Sequence, residues 1–127
     1  MSFIKIYRDH ATNRVYLEFI PDEYIKTQPI NDADYKEKIK EYEKMTEFIN
    51  AMDGSHYFVV DCDKMIRIDK INFIYIAKAT NALFTKYHDQ GHLDGIQVIH
   101  SSPLIKKIYS GFKRILPQAI IDKFTLE

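Results

Sequence analysis

The stretch HYFVVDCDKMIRIDK, residues 56–70, decides how the chain is read. Its first half is a continuous apolar run from Tyr57 to Val60, the pattern of a strand covered on both faces in the middle of a helix-packed sheet. Its second half places Asp61, Asp63 and Asp69 between that strand and KINFIYIAKATNALFTKYHDQ, residues 70–90. The latter reads as a helix with Asp69 as its N-cap, because a cap carboxylate accepts from a free N–H of the first turn, and with Gly91 as its stop.

Working outward, FIKIYRD (residues 3–9) and RVYLEFI (residues 14–20) alternate apolar and polar positions with a period of two, and HATN between them suits a hairpin turn. A polar loop is expected from Pro21 to Pro29. In residues 31–52, Tyr35, Ile39, Tyr42, Met45, Ile49 and Met52 recur at steps of three and four, which predicts an amphipathic helix opened by Asn31 or Asp32 and closed near Asp53-Gly54. GIQVIH, residues 95–100, is the next strand. SSPLIKKIYSGFKRILP follows as a helix from Pro103 to Leu116, with Ser102 as N-cap and Pro103 at the first helical position. Its core stripe is Leu104, Ile105, Ile108, Phe112 and Ile115, with Lys106, Lys107, Lys113 and Arg114 opposite. AIIDKFTL is expected as a final edge strand. The order β-β-α-β-α-β-α(-β) predicts an α/β fold with a single mixed β-sheet and packed helices, as one domain spanning residues 1–127.

Composition narrows the function classes. The chain of 127 residues is 46% hydrophobic, enough for one core, and its 18 basic and 18 acidic residues cancel, so the net positive charge expected of a nucleic-acid binder is missing. The single Cys62 cannot form an internal disulfide, and neither a leader nor an apolar run of membrane-spanning length stands out, so a cytoplasmic protein with at most peripheral membrane contact is expected.

The run Asp61-Cys62-Asp63-Lys64-Met65-Ile66-Arg67-Ile68-Asp69 resembles the D-x-S-x-V-x-x-I-D segment of STAS domains, typified by anti-sigma factor antagonists. The strand, Ser-Pro turn and helix of IQVIHSSPLIKKIYSGFKRILPQAIIDKF are similar to those of STAS-like proteins grouped with the lipid-binding Sec14 domains. The resemblance implies a STAS-like module that works in signal transduction by protein–protein interaction. In regulated members the helix opens D-S-S-G and the second serine is phosphorylated; here Ile71 stands at that place, so the switch does not carry over.

On this reading the partner-binding surface is the loop and helix start containing Asp61, Asp63, Asp69, Lys70, Asn72 and Phe73. Three carboxylates beside a strand end could gather a hard cation for a metal-dependent enzyme, but Lys64 and Arg67 stand ready to pair with Asp61 and Asp63 in a solvated loop, so no catalytic residue, metal or cofactor is expected. His88 and His92 have the four-residue spacing of a helical metal pair, which Gly91 would break. His10, His56 and His100 complete no recognisable set, and Cys62 has no base partner. Ser101 and Ser102 at a helix N-terminus, with Lys106 and Lys107 one turn on, form the alternative: an anion or lipid site in a Sec14-like module. Tyrosines such as Tyr35 and Tyr42 are core residues or partner anchors. A hairpin edge could pair with its copy as a homodimer.

Overall fold

In the computed structural model, which describes residues 3–89 and 93–127, with the side chains of residues 87–89 left aside, the hairpin comes first. Strands β1 (Ile4–Asp9) and β2 (Arg14–Phe19) run antiparallel, with Ile4 opposite Phe19 and Asp9 opposite Arg14. Its turn is set by Asn13, which takes a φ of 55°, a left-handed conformation that asparagine tolerates better than most residues. Helices α1 (Pro21–Thr27) and α2 (Asp32–Asn50) lead to β3 (Ser55–Asp61), and α3 (Phe73–Asp89) leads to β4 (Leu93–Ile99). Helices α4 (Pro103–Phe112) and α5 (Gln118–Ile121) then deliver β5 (Phe124–Leu126). The five strands lie in the order β1-β2-β3-β4-β5, with all pairings after the hairpin parallel, so the mixed sheet expected from the sequence is present and β3 is its centre.

All the long crossovers cover one face of this sheet. Val15, Leu17 and Ile96 from the strands share a core with Ile49 of α2, Phe84 of α3, Phe112 of α4 and Ile120 of α5. The opposite face carries a tyrosine ladder instead: Tyr7 stacks on Tyr16 at 5.2 Å between ring centroids, and the Arg14 guanidinium lies 4.8 Å from the centroid of Tyr57. Gly95 makes room for that ladder, since a Cβ there would come within 3.0 Å of the Tyr57 ring. Gly54, with φ +107°, closes the α2–β3 turn; a Cβ there would sit 2.4 Å from the Asn13 carbonyl oxygen, so glycine is required on both counts.

Several local expectations are corrected. The segment from Pro21 is a helix rather than a polar loop: Pro21 starts it, Asp22 and Glu23 complement the positive end of its dipole, and Tyr24 anchors it in the core. Asp69 is not the cap of α3. It lies in a 3-10 turn, Ile68–Lys70, after which Ile71 is extended and buried. Pulling Ile71 inward separates the turn from the helix, and the cap passes to Asn72, whose Oδ1 accepts from the Ile74 N–H at 3.0 Å. Gln28 holds this geometry by donating to the Lys70 carbonyl at 2.7 Å and accepting from the Asn72 N–H at 3.0 Å.

The last helix expected to reach Leu116 ends at Phe112, and the chain turns so that Leu116 enters the core while Ile115 and Leu104, both 52% exposed, stay outside it. Of the expected strand AIIDKFTL, only Phe124–Leu126 pairs, because residues 118–121 form α5 and bury Ile120. The caps Asn31 and Ser102 stand as expected: Asn31 accepts from the Asp34 N–H at 2.8 Å and Ser102 from the Ile105 N–H at 3.3 Å. Gly91, expected to stop α3, lies outside the described residues.

Candidate functional site

The helix-facing side chains of a central strand are ordinarily the most deeply buried in such a sheet. In β3, Phe58 and Val60 point to the helices yet are only half-buried. The reason is a gap in the cover. Helix α3 packs on α2, and an apolar groove runs beneath the helices, from Phe3, Phe19 and Tyr24 under Tyr42, Met45 and Ile49 of α2 to the space between α3 and α4. Phe58, Val60, Ile96 and Val98 form its floor, Ile76, Ala79 and Phe84 of α3 one wall, and Ile105, Ile108 and Phe112 of α4 the other. Cys62 and Met65, from the turn after β3, close one end.

The groove encloses about 200 Å³ and none of its lining residues is Asp, Glu, Lys, Arg or His. An apolar cavity of about 150 Å³ already stays dry and takes up a molecule the size of benzene, so this one is large enough for a small ring system or part of an alkyl chain. Its polar groups are few. Thr46 donates its hydroxyl back to the Tyr42 carbonyl at 2.9 Å. Burial, with smaller contributions from Asp34, Glu41 and Tyr35, raises the Tyr42 phenol to about 12, so it is a neutral donor at physiological pH. Burial likewise pushes the Cys62 thiol up, with Asp61 and Asp63 adding to the effect, which keeps it protonated and a poor nucleophile.

The acidic loop is arranged differently from the sequence expectation. Asp61 and Asp63 do not pair with Lys64 and Arg67; Lys64 reaches across to Glu18 and Arg67 to Asp22. Their partner is His100, brought beside Asp61 because β3 and β4 run parallel with Asp61 opposite Ile99. The His100 Nδ1 lies 2.9 Å from Asp61 and 3.3 Å from Asp63, and its own φ of 54° helps aim the ring. The Asp61 hydrogen bond, then the Asp63 charge, raise the His100 pKa, while the same bond lowers that of Asp61. The three ligand atoms lie within 4.8 Å of one another, close enough to share a cation, but an imidazolium between two carboxylates accounts for the cluster by itself. Asp69 is not part of it. No spacing rule could have linked His100 to Asp61 from sequence, since the pairing of two strands brings them together.

At the α4 N-terminus, Ser101 donates its hydroxyl to the Glu127 carbonyl at 2.9 Å and Ser102 is engaged as the cap. Lys106 and Lys107 are exposed. Lys70 and Asn72 are likewise exposed, while Phe73 is half-buried and lines the groove. Of the expected histidine pair, His92 lies outside the described residues and the His88 side chain is not described. Among the described residues, no helix is long and apolar enough to cross a membrane.

Neither a protein-family model nor a curated protein matches this sequence. The fold is similar to the crystal structure of Sfh5, a Sec14-like protein, at a TM-score of 0.60 and 12% sequence identity, over 98% of this chain. The chain spans 46% of the length of that structure. The likeness supports a Sec14-like fold, and nothing in it is specific to STAS domains.

Proposed function

We propose that the chain binds a small, largely apolar molecule, a lipid or other amphiphile, in the groove beneath α2, α3 and α4. The observation that carries this reading is the central strand: Phe58 and Val60 are only half-buried over a cavity of about 200 Å³ that has no charged residue in its lining. Exposed apolar surface in a concave, uncharged setting is unfavourable in water and is relieved by an apolar ligand. The Sec14-like fold supports the same reading, which the sequence had offered as the alternative to an interaction module. With no cation in the lining, an anionic group of the ligand is disfavoured inside the groove.

Titration with the neutral fluorophore N-phenyl-1-naphthylamine tests this. Saturable enhancement is expected with the wild type and its loss with Val60→Phe, which fills the groove, while the thermal midpoint of the variant stays close to that of the parent. Equal enhancement in both proteins would place the probe elsewhere.

A protein-interaction role for the loop after β3 is a second reading, favoured by Ile66 at 84% and Ile74 at 66% exposure beside Lys70. Exposed isoleucines of this kind suit a partner surface. Ile66→Glu would abolish partner capture and leave fluorophore binding intact.

A further inference from the structure

The sheet is covered on one side only. Strands β2 to β5 run parallel and their crossovers all lie on the groove face, which leaves the other face bare among the described residues. Sheets of parallel strands are almost always covered on both faces. Strand register orders the bare face in rows. One row holds Lys5 beside Glu18, the next Tyr7 beside Tyr16 and Tyr57, and the third Asp9 beside Arg14.

We infer that this face seats a second copy of the chain, packed sheet against sheet about a twofold axis that runs along the tyrosine row. Such an axis reverses the order of the rows and keeps each strand over its own copy. Lys5 then meets Asp9 of the second copy and Arg14 meets Glu18, and each pair occurs twice. Glu18 also holds Lys64 of its own chain, but a carboxylate has lone pairs left for a second donor. An axis along β3 would instead set Lys5 against Thr125 and Glu18 against Gln97, bringing no opposite charges together. Other occupants fit less well. The rings of Tyr7 and Tyr16 stack on each other at 5.2 Å with 20° between planes, and Arg14 covers Tyr57, so the ladder offers edges rather than free faces to a base or sugar. Two cations balance two anions in these rows, unlike the basic stripe that nucleic acid requires. The groove lies on the opposite face, so the inference stands apart from the ligand reading.

Sedimentation velocity over a concentration series tests it, with two charge variants. The acidic one is Lys5→Glu with Arg14→Glu, and the basic one is Asp9→Lys with Glu18→Lys. The wild type is expected to shift from the mass of one chain to that of two as concentration rises. Each variant alone is expected to stay at one, since every facing pair becomes like-charged. An equimolar mixture of the two is expected to form a heterodimer, because all four contacts then join opposite charges. Tyr7→Lys, a single change at a 42% exposed position that meets its own copy on the axis, is expected to be monomeric with a melting temperature close to that of the wild type. This variant reads the interface even where a charge variant fails to fold. A wild type that keeps the mass of one chain up to its solubility limit would overturn the inference. So would dimerisation retained by Tyr7→Lys, or a mixture of folded charge variants that stays monomeric.

Discussion

The two halves of the helix-covered face use the same kinds of side chain to opposite ends. At the hairpin end of the groove, Phe3, Phe19, Tyr24 and Tyr42 line it as well, but they interlock around the β1–β2 edge beneath α1 and α2 and are each 9% exposed or less. Over the middle of the sheet, Phe58 and Val60 of the central strand are just as apolar, but the cover above them divides between α3 and α4 and leaves them only half-buried. The difference lies in the crossovers. The β2–β3 connection contributes two α-helices, α1 and α2, whereas the β3–β4 connection contributes α3 and two short 3-10 turns. Apolar composition therefore does not distinguish a closed core from a binding groove; the number and placement of covering helices do.

The sharpest way to break this contrast is to truncate a side chain where the two regions meet. Leu17, 2% exposed, is expected to cost about 2–5 kcal/mol as Leu17→Ala, read from urea denaturation, because its loss opens a cavity under both halves. Removing a helix cap is milder. Ser102→Ala, which frees the Ile105 N–H at the groove-side helix α4, is expected to cost about 1 kcal/mol, and Asn31→Ala at α2 a similar amount. Val60→Ala on the groove floor is expected to cost less than about 1 kcal/mol, since the methyl groups removed are already partly in water. A loss as large as that of Leu17→Ala would mean that the groove is closed in solution.

The smallest effect is that of pH. With its pKa raised above 6.5 by Asp61 and Asp63, His100 lends stability that is complete below that value and is lost as pH rises through the higher folded value. Asp61, held low by the His100 hydrogen bond, lends stability that is lost as pH falls through its own depressed value. A shallow stability maximum between the two is expected, and His100→Gln should flatten its alkaline side in a series of urea midpoints.

The same contrast explains what the sequence made legible. The strands showed through their alternation, and the central position of β3 showed through its unbroken apolar run. Asn31, Ser102 and Gly54 announced their roles because caps and positive-φ turns use a narrow set of residues. The groove could not be read this way, since Ile76, Ala79, Ile108 and Phe112 repeat at helical spacing whether a helix sits flush on a sheet or stands off it. Asp69 misled for a related reason: an acid before an apolar helix looks like a cap, and only the burial of Ile71 displaces that role to Asn72. The Asp61–His100 contact joins residues 39 apart in sequence and depends on strand order alone.

The central claim is that the apolar groove over β3 takes up an uncharged, largely apolar ligand. Urea denaturation with and without a medium-chain methyl ketone, in the wild type and in Val60→Phe, tests it most directly. At about a hundred times the dissociation constant, the ketone should stabilise the wild type by about 2.7 kcal/mol and leave Val60→Phe unmoved. No shift in the wild type, or the same shift in both proteins, would contradict it.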